Sequence, residues 1–273
     1  MHIIADSGST KCTWLLTDGR QRESVLTRGI NAVQFTEEQI AGVLAELPVG
    51  TKADSVRFYG AGCGSTYPEA SGKLRRALES YFGTSDIGIE SDLTGAARAL
   101  FGAGEGIACI LGTGSNSGWY RNGEIGQNVP PLGYILGDEG SGAVLGRNLL
   151  NGIFKGRIPL LEEFHTAYRL EYEQIISRVY REPHANRFLA SLAPFVLAFR
   201  DRPEVDAMVR ETFRDFARNN LGGYPAGLPV GFVGGIAAHF EQPLREVMRE
   251  CGFEVSSIVE SPAEGLLKYH YGA

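Results

Sequence analysis

Ile3-Ile4-Ala5-Asp6-Ser7-Gly8-Ser9-Thr10-Lys11 runs into an apolar stretch through Trp14 and then the turn Asp18-Gly19. About 106 residues later (position 109 against position 3) the pattern returns as Cys109-Ile110-Leu111-Gly112-Thr113-Gly114-Ser115-Asn116, with Trp119-Tyr120 and the turn Asn122-Gly123 behind it. Each copy reads as strand, short Gly/Ser/Thr loop, strand and tight turn, because Asp-Gly and Asn-Gly are strong hairpin signals. Such a loop suits a phosphate: glycine lets the backbone approach an anion, amides point at it, and hydroxyls add donors. One loop of this kind is more often only a hairpin. Two related loops, one per half, predict a duplicated fold that clamps one nucleotide between two lobes. Neither is a P-loop, since GxxxxGK[ST] is missing, and neither is a dinucleotide fingerprint, since both open hairpins rather than helices.

Outward from the echo, strands are expected at His2–Ala5, Cys12–Thr17, Ser55–Tyr59, Ile87–Glu90, Ile107–Leu111, Ser117–Arg121, Pro229–Val233 and Glu254–Val259. Helical patterns lie between them, which makes the fold class α/β. Thr36-Glu37-Glu38-Gln39 reads as a capping box before Ile40, Val43, Leu44 and Leu47. Ser261-Pro262-Ala263-Glu264 reads as a second, opening a final helix through Tyr269. Glycine is the chain's compositional excess: 36 of 273 residues, about 13% against roughly 7% in ordinary proteins. From Gly102 to Gly156 there are 15, and between Arg157 and Leu221 there are none. The glycine-free block is therefore expected to be helical, since each glycine there would cost about 1 kcal/mol relative to alanine.

With 43% hydrophobic and 21% charged residues the chain has material for a buried core, which excludes general disorder. A net charge of −6 and no dense Lys/Arg run argue against a nucleic-acid partner. No apolar stretch of about 18 residues is present, so no membrane partner is expected. No leader-like segment opens the sequence, and a cytoplasmic location is expected. Cys12, Cys63, Cys109 and Cys251 have no metal-like spacing and read as reduced, mostly buried thiols. The five histidines are isolated.

Asp6-Ser7-Gly8-Ser9-Thr10-Lys11 and Gly112-Thr113-Gly114-Ser115-Asn116 resemble the two phosphate loops of the acetate and sugar kinase/actin superfamily. Gly133-Tyr134-Ile135-Leu136-Gly137-Asp138-Glu139-Gly140-Ser141 and Val233-Gly234-Gly235 strengthen the match. The chain resembles, along nearly its whole length and in motif order, the N-acetylglucosamine kinase-like branch of the BadF/BadG/BcrA/BcrD-type ATPases. The resemblance implies two ribonuclease-H-like (actin-like ATPase) lobes around a central nucleotide cleft: 1–103, with the C-terminal helix 261–273 packing back on it, and 104–260. It implies ATP and Mg2+ as cofactors and phosphoryl transfer to a hydroxyl of an amino sugar of the N-acetylglucosamine or glucosamine type. The sequence allows a homodimer without specifying one.

In that family frame Asp6 holds the magnesium, although by itself it reads equally as an Asp capping its own turn. Gly8, Ser9 and Thr10 belong to the nucleotide loop. Lys11 either neutralises phosphate charge or is simply solvated. Asp92 matches the general base that takes the sugar hydroxyl proton; on position alone it is equally a helix N-cap. Gly112, Thr113 and Gly114 face the phosphates. Asn31, Ser115, Asn116, Gly133, Tyr134, Asp138 and Glu139 match sugar contacts, with Glu139 alternatively a cap for the helix at Ser141. Gly234 and Gly235 either admit the adenosine or make a tight strand–helix turn. Two departures stand out: the first loop reads Asp-Ser-Gly-Ser where many relatives have Asp-Gly-Gly-Gly, and the chain is short for this group. Two other readings remain. One is a reductase-activator ATPase with an iron–sulfur cluster, for which Cys63, in the exposed-looking Gly60–Gly64 loop, is the available thiol. The other is a nucleotide- or sugar-sensing module without turnover.

Overall fold

A computed structural model describes residues 1–48 and 50–272; Val49 and Ala273, the latter ending the expected C-terminal segment, lie outside the described residues. The chain divides into two units. The first is Met1–Glu105 with Tyr120–Ile125 and Ser261–Ala273; the second is Gly106–Trp119 with Gly126–Glu260. The expected division at 103/104 differs from this chiefly at the hairpin tip. Tyr120 explains the difference: it is buried, stacks on Phe101 at 6.4 Å and donates a 2.7 Å hydrogen bond to the carbonyl of Gly102.

The first unit is built on β1 (His2–Ser7), β2 (Lys11–Thr17), β3 (Arg22–Arg28), β4 (Ser55–Gly60) and β5 (Ile87–Ser91), in sheet order β3-β2-β1-β4-β5. β1, β2 and β3 pair antiparallel; β4 and β5 run parallel to β1. Alternation along β1 separates two cores. Ile3 and Ala5 join Trp14, Phe58, Leu74 and Leu78 on one face, under α1 (Glu37–Leu44) and α2 (Pro68–Phe82). Ile4 joins Leu15, Tyr59, Leu266 and Leu267 on the other, with α13 (Ala263–Tyr271) and α3 (Asp92–Phe101).

The second unit repeats the order. β6 (Gly106–Leu111), β7 (Ser115–Arg121), β8 (Glu124–Val129), β9 (Val230–Val233) and β10 (Val255–Val259) form a sheet ordered β10-β9-β6-β7-β8, with β9 parallel to both β6 and β10. Read from the hairpin edge, both sheets have one topology. Between β8 and β9 come α4 (Gly133–Leu136), α5 (Gly142–Phe154), α6 (Leu161–Tyr168), α7 (Tyr172–Tyr180), α8 (Ala185–Ala190), α9 (Ala193–Ala198) and α10 (Pro203–Phe216). α10 runs on as a π-helical turn, Ala217–Leu221; α11 (Gly235–His239) and α12 (Glu241–Glu250) separate β9 from β10. The glycine-free block is thus α6 to the π turn. No helix among the described residues is long and apolar enough to cross a membrane.

The Thr36 capping box forms as read, with Gln39 N donating to Thr36 Oγ1 and Thr36 N to Gln39 Oε1. The second box does not. Pro262 is the cap residue of α13, Ser261 Oγ accepts only from Ala263 N, and Glu264 pairs with Arg22 instead. The edge strands β3 and β8 were not among the expected strands; both are largely exposed and lack the apolar alternation that marks a strand.

Candidate active site

In the first unit the Gly8–Thr10 loop joins β1 to β2 and is closed by Gly8 N donating to Lys11 O at 3.0 Å. Gly29 crosses it so tightly that a Cβ there would lie 2.1 Å from Gly8 O. Ser7 fixes the crossing: its buried hydroxyl accepts from Ile30 N (2.8 Å) and donates to Ile30 O (3.0 Å). The chain then turns at Asn31, whose Oδ1 accepts from Val33 N and Gln34 N. That leaves its amide N–H groups as the part of Asn31 suited to a ligand.

Asp6 and Asp92 come together on the α3 face of this sheet. Asp6 is displaced upward to about 7, first by burial, then by the negative charge of Asp92, against a smaller lowering by Lys11. Burial likewise raises Asp92. The alternative reading of Asp92 as the helix cap does not hold: Ser91 is the N-cap, its Oγ accepting from Thr94 N at 3.1 Å. Asp92 is the first helical residue, and its carboxylate accepts from the adjacent Leu93 N at 2.8 Å and from its own backbone N–H. Its carboxylate thus meets the amides of the helix start without being the residue that caps it. Behind it lies the Gly60–Gly64 loop, where Gly64 at φ +96° passes so close to Ser91 N that a Cβ would approach to 3.3 Å. Cys63 in that loop is buried, not exposed as its glycine-rich setting suggests, and its thiol is pushed up to about 12 by burial and by Asp92.

Magnesium takes one or two carboxylates, with waters and phosphate oxygens completing its shell. The residues fit that requirement with Asp6 as the carboxylate: it is raised by burial and by the neighbouring charge of Asp92, a negative field that a bound cation would relieve, and Lys11 lowers it less than either raises it. Among the described residues no group of three or more His, Cys, Asp or Glu is arranged around a metal position.

In the second unit Gly112-Thr113-Gly114 joins β6 to β7, with Gly112 N donating to Gly114 O at 2.9 Å. It rests on the start of α5, where Gly142 N donates to Gly112 O (2.8 Å) and Ala143 N to Thr113 O (3.1 Å). Asp138, buried and in the left-handed region at φ +52°, packs against Gly114 and accepts from Ser115 N at 3.3 Å. Burial raises its carboxyl as well. Ser115 Oγ is buried with no partner among the described residues, a cost that a ligand hydroxyl would relieve. Asn116 Oδ1 accepts from Ser117 N and Asn128 Nδ2, so its role is largely structural on the oxygen side.

The remaining expected residues divide. Gly234, at φ +125°, is required by packing: its Cβ would lie 2.3 Å from Leu111 O, beside the second loop, while a Cβ on Gly235 would meet only His239 Nδ1 at an ordinary 3.9 Å. Glu139 does not cap α5; Ser141 does, accepting from Val144 N. Glu139 instead accepts from Asn219 and Asn220 of the π turn. Gly133 (φ +73°) and Tyr134 lie on the α4 turn, held by Arg147 donating to Tyr134 O, with Leu132, Ile135 and Leu136 exposed. Lys11 and Thr10 are exposed at the first loop, with Ser9 partly so. Gly29, Gly64, Asn219 and Asn220 were not read from the sequence as site residues; only the glycines left a trace, as small residues beside expected strand ends.

Two copies of one five-stranded order, each opening on a glycine- and hydroxyl-bearing hairpin, define an α/β protein of the actin-like ATPase class, each half a ribonuclease-H-like unit. No family model and no curated protein matches the chain. A solved structure from Porphyromonas gingivalis, provisionally named an N-acetylglucosamine kinase, is 42% identical with a TM-score of 0.95, over 100% of this chain and 99% of that one. The chain belongs to the sugar-kinase family of that protein. A Chromobacterium violaceum structure with the same provisional name shares the fold at 23% identity and TM-score 0.72, over 98% of each chain. A ROK family glucokinase from Streptomyces griseus, solved with glucose and AMPPNP, does so at 17% identity and TM-score 0.59, over 100% of this chain and 98% of that one.

Proposed function

We propose that this chain is an ATP-dependent kinase of the N-acetylglucosamine kinase-like branch, transferring a phosphoryl group to a hydroxyl of an amino sugar of the N-acetylglucosamine or glucosamine type. The observation that carries the reading is the pair Asp6 and Asp92: two carboxylates on one face, both raised, with Ser91 and not Asp92 as the cap of α3. Phosphoryl transfer asks the protein for alignment, charge neutralisation and a base. Asp92 supplies the base: its raised affinity for a proton suits it to accept one from the sugar hydroxyl. As that O–H bond breaks, the sugar oxygen bonds to the γ-phosphorus and the bond to the β-phosphate oxygen is released, leaving ADP. Asp6 would hold magnesium, whose chemistry is to neutralise phosphate oxygens.

Ser9, Thr10 and Lys11 on the first loop, and Thr113 and Gly114 on the second, contribute donors to the phosphates. Asn31 offers amide N–H groups, Asp138 a carboxylate and Ser115 a hydroxyl to the sugar. Cys63 supports a kinase over an iron–sulfur activator, because it is buried in the core of its unit, away from the surface where a cluster shared with a second copy would sit.

The test is ADP release with Mg-ATP across hexoses, amino sugars and N-acetylated sugars. Amino-sugar-dependent turnover is expected, with Asp92→Asn lowering kcat by about 10²–10⁴-fold. Sugar-independent turnover, or an Asp92→Asn variant that works at full rate, overturns the reading.

A further inference from the structure

Asp6, Tyr59 and Glu90 stand in one row of the first sheet: Asp6 is in register with Tyr59 across β1 and β4, and Tyr59 with Glu90 across β4 and β5. Residues in register on parallel strands project to the same face, and for Tyr59 that is the face of α3 and α13. α3 seats directly on the row. A Cβ at Gly95 would lie 2.8 Å from the Tyr59 ring, so the first turn of the helix rests on that ring. One turn further on, the guanidinium of Arg98 donates to Tyr59 Oη at 3.2 Å and to Glu90 Oε1 at 3.3 Å. It also lies over the rings of Tyr59 (5.9 Å) and Tyr269 (5.5 Å).

The Tyr59 hydroxyl has a second partner, His270 Nε2 of α13, at 2.6 Å. Arg98 can only donate, so the tyrosine accepts from it and directs its own proton to His270. His270 suits that acceptor role, since burial and the nearby Arg57 and Arg98 push it down to about 4 and keep it neutral. α13 itself approaches α3 closely, a Cβ on Gly265 being 2.6 Å from Ala99 O.

We infer that Tyr59 is a positioning residue that, through Gly95 and Arg98, sets helix α3 and with it Asp92 over the strand row that carries Asp6. Tyr59 is 1% exposed, too enclosed to meet a substrate, so it acts through the helix. The inference rests on the reading of Asp92 as the base.

Tyr59→Phe keeps the ring under Gly95 and removes the hydroxyl that joins Arg98 to His270. The expected result is a fall in kcat of about tenfold or more, with KM for sugar and for ATP each within about threefold of the parent. Arg98→Lys, which keeps the charge but loses the fork, should fail to preserve the rate. Thr27→Val is the control for general destabilisation: it orphans the Trp14 indole N–H on the opposite face of the same sheet and should leave kcat unchanged. Hydrogen exchange gives a readout independent of turnover, since the amides of Ala96 and Ala97 in α3 should exchange at least about tenfold faster in Tyr59→Phe. A Tyr59→Phe enzyme with parental kcat and parental exchange, or one whose loss merely matches that of Thr27→Val, overturns the inference. Asp92→Asn is run alongside. If it is inactive while Tyr59→Phe is normal, only the positioning role falls; if it is fully active, the base assignment falls and takes the positioning role with it.

Discussion

The two loops share a topology and differ in what stands behind them. Behind the first runs another piece of chain: Gly29 presses on Gly8 and Ser7 pins Ile30, while two raised carboxylates, Asp6 and Asp92, stand beside it. Behind the second stands a helix, whose opening amides bind the loop carbonyls, with a single carboxyl, Asp138, against Gly114. The two units share a strand order and differ in chemistry. One half concentrates charge that must be neutralised or must take a proton. The other offers hydrogen-bonding groups, including the unpartnered Ser115 hydroxyl.

The comparison breaks most sharply on charge. The folded state holds the Asp6 proton to about 7 against an ordinary value of 3.8, so it binds that proton more tightly than the unfolded chain does. Stability without metal should therefore fall as pH rises from about 4 to about 7, and stay low above that. Asp6→Asn should shrink the fall, leaving only the smaller share from Asp92 and Asp138, whose carboxyls burial also raises, and make the variant more stable than the parent at pH 8 by on the order of 3 kcal/mol and little different at pH 4. Urea titrations at the two pH values decide it; a difference independent of pH refutes the charge account.

Next in size is the crossing of the first loop. Gly29→Ala must displace backbone and should cost about 3 kcal/mol. Gly112→Ala meets nothing within 4 Å and should stay within about 0.5 kcal/mol, while weakening nucleotide binding. Equal stability losses in the two variants would erase the contrast between a loop backed by chain and a loop backed by a helix. The smallest effects separate the two expected capping boxes: Thr36→Ala should cost about 1 kcal/mol, and Ser261→Ala a few tenths at most, by thermal unfolding.

The order of strands and helices was legible because its signals are local. Ile3–Ala5 and Ile107–Leu111 are apolar runs, and the helical block excludes glycine. β3 and β8 were missed because edge strands that face solvent need no apolar face. At the site, local contacts were less legible than the fold. Ser91 and Asp92 are adjacent and both cap helices well, so only the backbone shows which one does. Cys63 reads as exposed from its glycines and is buried by elements distant in sequence. Tyr59 looks like any strand aromatic until the register sets it between Asp6 and Glu90. What escapes a sequence reading here is contact between segments far apart in the chain.

The amides of Gly142 and Ala143 are occupied by the carbonyls of Gly112 and Thr113, so the start of α5 is closed to an anion approaching it directly. A trans peptide unit is planar, and its N–H points opposite its C=O. With both carbonyls turned toward the helix, the N–H groups of Thr113 and Gly114 must turn away from it. Each of these two peptide units lies head to tail with the helix and adds its dipole to the row. The positive end of α5 is thus carried outward by one layer of backbone, to the N–H groups of Thr113 and Gly114.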